Sequence, residues 1–437
     1  MRKPLVDVSF FKDRRKALAP KIEGGALILA ANRELIRNHD VHYPFRQESN
    51  FFYFTGFEEP DAIFVFRPGQ KPETTMFVRP KDVHAETWDG FRFGVEGTQR
   101  EYQIDQVFEL SQLPTELPKL IKPVDKIYYR LGKNPFDQQL EKVLDEVRLS
   151  YGRSGRGLLP IVDPAEVMGE LRVKKTDIEL EWMRKAAAIT CEAHTNAMKF
   201  AKPGVTERQV QAVVEYTFRM SGSPRNGYGS IVAAGKNATT LHYVFNDEVC
   251  KDGDLLLIDA GTEWNYYGAD ITRTFPVNGK FSGPQKDLYE GVLRVQKQMV
   301  SESRVGATFT SQQEKATSLL ADVLIDLKVT KATKSELIEK QLIKKYYPHG
   351  LGHYLGLDVH DAGLYVKGNE PRPFESNMVI TVEPGLYVPF DDDSANEAFR
   401  GIGIRIEDDI VIGTGEPEVL TAAVTKEVSE IEATVSH

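Results

Sequence analysis

Residues 255–274 read LLLIDAGTEWNYYGADITRT. Four consecutive apolar residues, Leu255 to Ile258, run straight into Asp259. Such a run predicts a buried strand that delivers a carboxylate at its end. Burying that charge is costly unless it is paired or held against a metal. Asn265-Tyr266-Tyr267-Gly268 reads as a turn, after which Asp270, Thr272 and Thr274 alternate onto one face of a second strand. The turn sets Asp259 and Asp270 side by side. Two carboxylates in contact repel, and a cation between them removes the conflict.

The pattern recurs downstream. Met378 to Val382 leads into Glu383, and Ile404-Arg405-Ile406 leads into Glu407. Alternation puts Arg405 and Glu407 on one face and Ile404 and Ile406 on the other. Upstream of these strands, residues 349–361 read HGLGHYLGLDVHD, so His349, His353 and His360 fall close together in a chain with only 9 histidines. The glycines beside them permit close backbone approach to a ligand. Taken singly, an acid at a strand end is a turn former, a lone histidine is structural, and an Arg-x-Glu strand face is a surface ion pair. His194, His39, His42 and His84 are read in that structural way. Taken together, three apolar strands that each run into an acid, around a glycine-flanked histidine cluster, predict one divalent-metal site.

Asp259, Asp270, Glu383 and Glu407 with His353 supply four carboxylates and one imidazole. Four negative charges match two divalent cations. An oxygen-rich, sulfur-free donor set favours manganese, with cobalt or zinc as lesser options. Bridging carboxylates would hold two ions roughly 3.5–4 Å apart, the spacing of two-metal hydrolysis, in which a shared water becomes a hydroxide near neutral pH.

Helices surround these strands. Thr176 with Glu179 is a capping box opening a stripe of Ile178, Trp182, Ala186, Ile189, Ala193 and Ala197 that Pro203-Gly204 ends. Thr206 with Gln209 opens a second helix. Gly283-Pro284 opens a third, with Leu288, Val292, Val295 and Met299 on one face. Pro203-Gly204-Val205-Thr206 and Val305-Gly306-Ala307-Thr308 echo each other, which suggests a duplicated α+β unit or a coincidence of four residues. Residues 1–172 read as a separate α/β domain. Its β-rich runs are 26–30, 63–66, 75–78 and 126–129, with a helical period over 136–149 and a Gly/Pro-rich linker over 152–164. Residues 173–437 form the second domain.

The 437 residues carry 55 Lys+Arg against 64 Asp+Glu, a net charge of -9, which argues against a nucleic-acid partner. No apolar run is long enough for a membrane span, and MRKPLVDVSFFKDRRKAL lacks the apolar stretch of a secretory signal. Two cysteines, Cys191 and Cys250, make neither a disulfide framework nor a thiolate zinc site. The expectation is a cytoplasmic protein with no membrane attachment.

The Asp259/Asp270 spacing, HGLGHYLGLDVHD, TVEPGLY and GIRIEDD resemble the pita-bread metallopeptidases: aminopeptidase P, prolidase and methionine aminopeptidase. Tyr43-Pro44-Phe45-Arg46-Gln47-Glu48-Ser49-Asn50-Phe51-Phe52-Tyr53-Phe54-Thr55-Gly56-Phe57 and Glu86-Thr87-Trp88-Asp89-Gly90 resemble the N-terminal domain of bacterial aminopeptidase P. The resemblance implies an α/β plus α+β architecture, with an N-terminal mixed-sheet domain of the creatinase/aminopeptidase-P type and a C-terminal pita-bread domain. It implies a dinuclear manganese enzyme that hydrolyses the N-terminal Xaa-Pro bond through a metal-bridging hydroxide. Asp259, Asp270, His353, Glu383 and Glu407 would be the metal ligands, with Glu383 also moving the proton. His242 and His360 would face the substrate carbonyl, His349 would wall the proline pocket, and Arg405 would orient ligand carboxylates. Trp88 would cap the substrate of a neighbouring subunit in a homodimer or homotetramer. Three alternatives stand beside this reading: an Xaa-Pro dipeptidase, metal-free creatinase-like chemistry, and a non-catalytic pita-bread module binding protein partners.

Overall fold

The computed structural model describes residues 3–435. The chain divides into two compact units, Met1–Leu171 and Arg172–His437. The first is built on a six-stranded sheet in the order Gln106–Glu109, Thr74–Val78, Ile63–Phe66, Gly25–Ala30, Lys126–Tyr128, Ile161–Val162. Gly25–Ala30 runs antiparallel to Ile63–Phe66 and parallel to Lys126–Tyr128, so the sheet is mixed. All four β-rich runs read from the sequence fall in it. The expected helix forms as Asp137–Ser150 and buries Leu140, Val143, Leu144 and Val147, which pack with Leu117 and Ile127. The segment 152–164 is more than a linker, because Ile161–Val162 is the edge strand beside Lys126–Tyr128. Two residues are too few for a period to register.

In the second unit Thr176 and Glu179 form the capping box of helix Asp177–Phe200. Trp182, Ala186, Ile189, Ala193 and Ala197 are buried along it. Ile178 is 39% exposed, although Glu179 and Leu180 in the same first turn are buried. Thr206 and Gln209 cap Glu207–Met220. Gly283–Glu302 starts with Pro284 and buries Leu288, Val292, Val295 and Met299. Thr308 opens Phe309–Asp326.

Each helix pair is followed by an antiparallel sheet. The first joins Ile231–Ala234, Leu255–Asp259 and Thr272–Pro276, with Leu255–Asp259 in the centre. The second joins Val379–Val382, Asp408–Val411 and Glu418–Val419, with Asp408–Val411 in the centre. The short sequence echo therefore marks two similarly built halves. Leu255, Leu256, Leu257 and Ile258 are at most 3% exposed. Full burial of a side chain of this size contributes ~1.5–3 kcal/mol, so the strand that ends in Asp259 is firmly seated. Asn265 and Tyr266 both take positive φ, 50° and 73°, in the two-residue turn between Glu263–Trp264 and Tyr267–Gly268. No helix among the described residues is long and apolar enough to cross a membrane.

Candidate metal centre

Two of the acids sit where a β-ladder is interrupted. Val382 pairs with Asp408 in one ladder and Gly385 with Arg405 in another. Between the ladders Glu383-Pro384 faces Ile406-Glu407, and Ile406 N donates to Pro384 O at 3.3 Å. Pro384 has no N–H to return that bond. The strand read through 404–406 is thus shorter, Gly403–Arg405, and ends before the acid. Asp259 ends its strand opposite Thr272, and Ala260 N donates to Ile271 O at 3.1 Å. Pairing continues past the strand, which sets Asp270 beside Asp259. The Tyr228 hydroxyl lies within hydrogen-bonding reach of both, 2.6 Å from Asp259 Oδ1 and in a short contact with Asp270 Oδ1.

The histidine loop is tied down at both ends. Thr381 N donates to His353 O at 2.9 Å and Glu383 N to Leu351 O at 2.8 Å, so the loop lies along Val379–Val382. A Cβ on Gly352 would sit 2.0 Å from Thr381 O. That glycine serves the approach of loop to strand, and with Gly350 it also lines the cavity of the site. At the far end the buried Asp361 accepts from Arg172 and, at 3.1 Å, from Lys175. Burial opposes ionisation of Asp361, but the two cations outweigh it and hold its carboxyl below the usual range. Asp361→Asn would leave the buried Lys175 without its paired carboxylate and Arg172 with only the part-exposed Asp358, at 2.7 Å. We expect it to cost about 3–5 kcal/mol in denaturant unfolding. Because the folded pKa of Asp361 is depressed, its contribution is present above roughly pH 4 and is lost as pH falls below that.

The donor set fits a divalent cation. His353 Nδ1 meets Tyr354 O at 3.0 Å and so carries the proton, leaving the Nε2 lone pair free. Nε2 points between Asp270 Oδ2 at 3.6 Å and Glu383 Oε1 at 3.5 Å. Burial holds the imidazole neutral, with its pKa pushed down to about 4, so these contacts are not ion pairs. A lone pair facing two acidic oxygens is reconciled by a cation among them. One donor atom each from Asp270, His353 and Glu407 lies within 4.8 Å of the others. Burial, then the neighbouring Asp259, pushes the Asp270 carboxyl up to about 8. Burial raises Glu407, with Asp270 and Glu383 adding to it. Burial also raises Glu383, against the pull of Arg405. Without a cation these acids resist ionisation, which is the signature of a charge-deficient pocket.

Among the described residues, Arg405 is the one cation lining the cavity with these acids. Its Nη2 donates to Asp259 Oδ2 at 2.5 Å, its Nε to Thr272 Oγ1 at 3.1 Å and its Nη1 to the Tyr387 hydroxyl at 2.9 Å. Thr272 Oγ1 donates onward to Glu407 Oε2 at 2.6 Å. One guanidinium thus orients Asp259 directly and Glu407 through a threonine. The Tyr387 hydroxyl donates a hydrogen bond to His349 Nε2 at 2.8 Å, while His349 Nδ1–H donates to Gly350 O at 2.8 Å. Burial, then the nearby Arg405, pushes His349 down to about 4, in keeping with a neutral ring.

These groups line a cavity of about 460 Å³ that holds Asp259, Asp270, Glu383, Glu407, His353, Arg405, His242, His349 and His360 together, with Leu241 and Tyr365. The His360 and His353 rings stand edge to face, 4.4 Å between centroids. Trp88 is not in this lining. It lies in the first unit on helix Val83–Asp89 and is 79% exposed. His194 is fully buried with Nε2 at 3.1 Å from Ala260 O, a structural histidine as read. Tyr228, Tyr387 and Thr272 were not anticipated as site residues. Tyr228 stands between glycines just ahead of strand Ile231–Ala234, a local hint that names no partner.

A buried set of carboxylates around a free imidazole lone pair, on two similarly built α+β halves, defines a metallohydrolase type of centre. Residues 181–414 match Metallopeptidase family M24, and residues 11–128 match the Aminopeptidase P, N-terminal domain. The chain belongs to metallopeptidase family M24. It is 38% identical over 424 residues to the Xaa-Pro aminopeptidase of Haemophilus influenzae, covering 97% of this chain and 96% of that one. It is 37% identical to the Xaa-Pro aminopeptidase of Escherichia coli, with 97% and 96% covered. Among solved structures, a Pseudomonas aeruginosa aminopeptidase superposes with a TM-score of 0.94 at 40% identity, covering 100% of this chain and 99% of that one. Zinc-substituted Escherichia coli aminopeptidase P in complex with product gives 0.93 at 36% identity, with 98% of each chain covered. Family and donor set together support divalent-metal binding.

Proposed function

We propose that this protein is a metal-dependent Xaa-Pro aminopeptidase, releasing the N-terminal residue from peptides with proline in second place. The observation that carries the reading is the neutral His353 lone pair directed between two acids, the buried Asp270 and the half-buried Glu383, with Glu407 close by. Asp259, Asp270, His353, Glu383 and Glu407 would hold two divalent ions, manganese by preference of an oxygen-rich set. Such ions, when bound, supply Lewis acidity toward water and a carbonyl oxygen.

The chain's own groups do the rest. Glu383 takes a proton from the attacking water and returns it to the proline nitrogen, the leaving group. His242 and His360 hydrogen-bond the scissile carbonyl oxygen and the oxyanion that develops from it. His349, fixed by Tyr387, walls the proline ring. Arg405 keeps Asp259 and Glu407 in register. An Xaa-Pro bond has no N–H to offer, so recognition falls on ring shape and carbonyl. Residues 1–172 are assigned as the N-terminal domain and 173–437 as the catalytic domain. Exposed Trp88 is assigned to the substrate mouth of another copy in a homodimer or homotetramer. A cytoplasmic site of action belongs to the same reading, supported by two buried cysteines that are both free thiols.

The dipeptidase alternative is not favoured, because the relatives matching nearly the whole chain bear the aminopeptidase name. A peptide panel tests the choice, with and without added manganese. Xaa-Pro-Xaa tripeptides should be cleaved, and Gly-Pro should not. Cleavage of the dipeptide alone would overturn it. Tyr228→Phe removes one hydroxyl from beside Asp259 and Asp270. It should weaken metal binding about tenfold in a calorimetric titration; an unchanged affinity would make that hydroxyl irrelevant to the ligands.

A further inference from the structure

Apart from the acids of the cavity, the fully buried carboxylate of Glu207 is shared among several segments. Its Oε1 accepts from Ala234 N at 2.7 Å and Asn237 Nδ2 at 3.0 Å. Its Oε2 accepts from the Tyr243 hydroxyl at 2.9 Å and Glu248 N at 2.9 Å. Glu207 is also the first residue of helix Glu207–Met220, where the helix dipole favours an anion. Four donors and a helix terminus offset the cost of burying the charge.

The donors have a pattern. They come from positions 234, 237, 243 and 248, which bracket His242. Tyr243 is buried while its neighbour His242 lines the cavity. Asn237 Nδ2 also donates to the Tyr243 hydroxyl at 3.1 Å. A second tie lies three residues on. Asn246, at a φ of 47°, accepts from Val232 N at 2.9 Å and donates to Ser230 O at 2.8 Å. The segment carrying His242 is therefore fastened to the sheet on both sides of the histidine.

We propose that Glu207, acting through the Tyr243 hydroxyl, is a positioning residue for His242. The inference rests on the reading above that His242 faces the substrate carbonyl. Neither Glu207 nor Tyr243 lines the cavity, so their influence passes through the backbone from 243 to 242. A displacement of ~1 Å at a group near the reacting atoms costs about 10²-fold in rate, so a modest shift of this segment is enough to be read.

The test is a double-mutant cycle on the manganese-loaded enzyme with an Xaa-Pro-Xaa tripeptide, using Tyr243→Phe, His242→Ala and the pair. Tyr243→Phe keeps the ring and its packing and deletes only the hydroxyl. It should lower kcat about tenfold with KM little changed, and it should add nothing in the His242→Ala background. A full Tyr243→Phe loss persisting beside His242→Ala would overturn the positioning role and leave the role of His242 standing. An unchanged kcat for His242→Ala would instead remove the assignment of His242 itself, and this inference with it. If Tyr243→Phe does not fold, as judged by its thermal transition, Glu207→Gln takes its place in the cycle with the same expected outcome. Loss of folding in both would make the carboxylate a structural hub and overturn the proposal.

Discussion

Replacing Glu383 by glutamine should lower kcat by about 10³-fold, within the range that general acid–base groups contribute. Glutamine keeps the volume and one oxygen donor but cannot take a proton. The fold should survive the change. Glu383 is tied into the sheet by its backbone N–H, which donates to Leu351 O at 2.8 Å whatever the side chain. Among the described residues its side chain accepts only a long bond from Thr381 Oγ1, at 3.3 Å. Burial already opposes its charge, so a neutral amide meets no desolvation cost that the acid escaped. Two measurements separate its roles. A large loss of kcat with full metal content assigns the proton transfer to Glu383. A parallel loss of metal would make ligation its main contribution. Activity within tenfold of the parent would withdraw the residue from the chemistry altogether.

Stripping divalent metal with a chelator should abolish hydrolysis of Xaa-Pro peptides, and manganese should restore it. The same treatment should lower thermal stability. A ligand present at 100 times its Kd stabilises the folded state by ~2.7 kcal/mol per site, and ~1 kcal/mol moves the midpoint by roughly 2–4 °C in a domain of this size.

The loss should depend on pH with a definite sign. Asp270 is raised to about 8, and Glu383 and Glu407 are raised as well. Between the ordinary carboxyl pKa, about 4, and those raised values, the metal-free folded state holds more protons than the unfolded chain. Its stability therefore falls as pH rises through that window. Bound metal takes the place of those protons, so the loaded protein is spared that fall. The gap between the two midpoints should widen from about pH 5 to about pH 8. An equal gap at both ends would mean that these acids carry no excess protons, and the charge-deficient reading of the pocket would fail. Continued turnover in rigorously metal-free protein would sink the metal-dependent mechanism.

Local sequence was informative where local physics decides. Apolar runs that end in an acid predicted Leu255–Asp259 and Val379–Val382 with Glu383 beyond it, because burial of four successive side chains depends little on which partner strand buries them. Capping boxes at Thr176 and Thr206 are reciprocal bonds within one turn and needed no tertiary context. The two-residue strand Ile161–Val162 and the early end of Gly403–Arg405 were hidden. The first is too short to show a period, and the second is ended by its neighbour across the ladder, at Pro384.

Composition and spacing by themselves determined that acids and imidazoles are carried on buried strands and a glycine-flanked loop, while the pita-bread family entered through the resemblance of whole motifs. They also indicated that a cation would have to join those acids. Only the tertiary structure decided which groups hold the ligands in place. Tyr228 reaches Asp259 and Asp270 from 31 and 42 residues away, Arg405 reaches Asp259 from 146, and Arg172 reaches Asp361 from 189. Hydrogen bonds of this kind need donor and acceptor within about 3 Å. Chain positions so far apart meet that condition only after the sheets have closed around them.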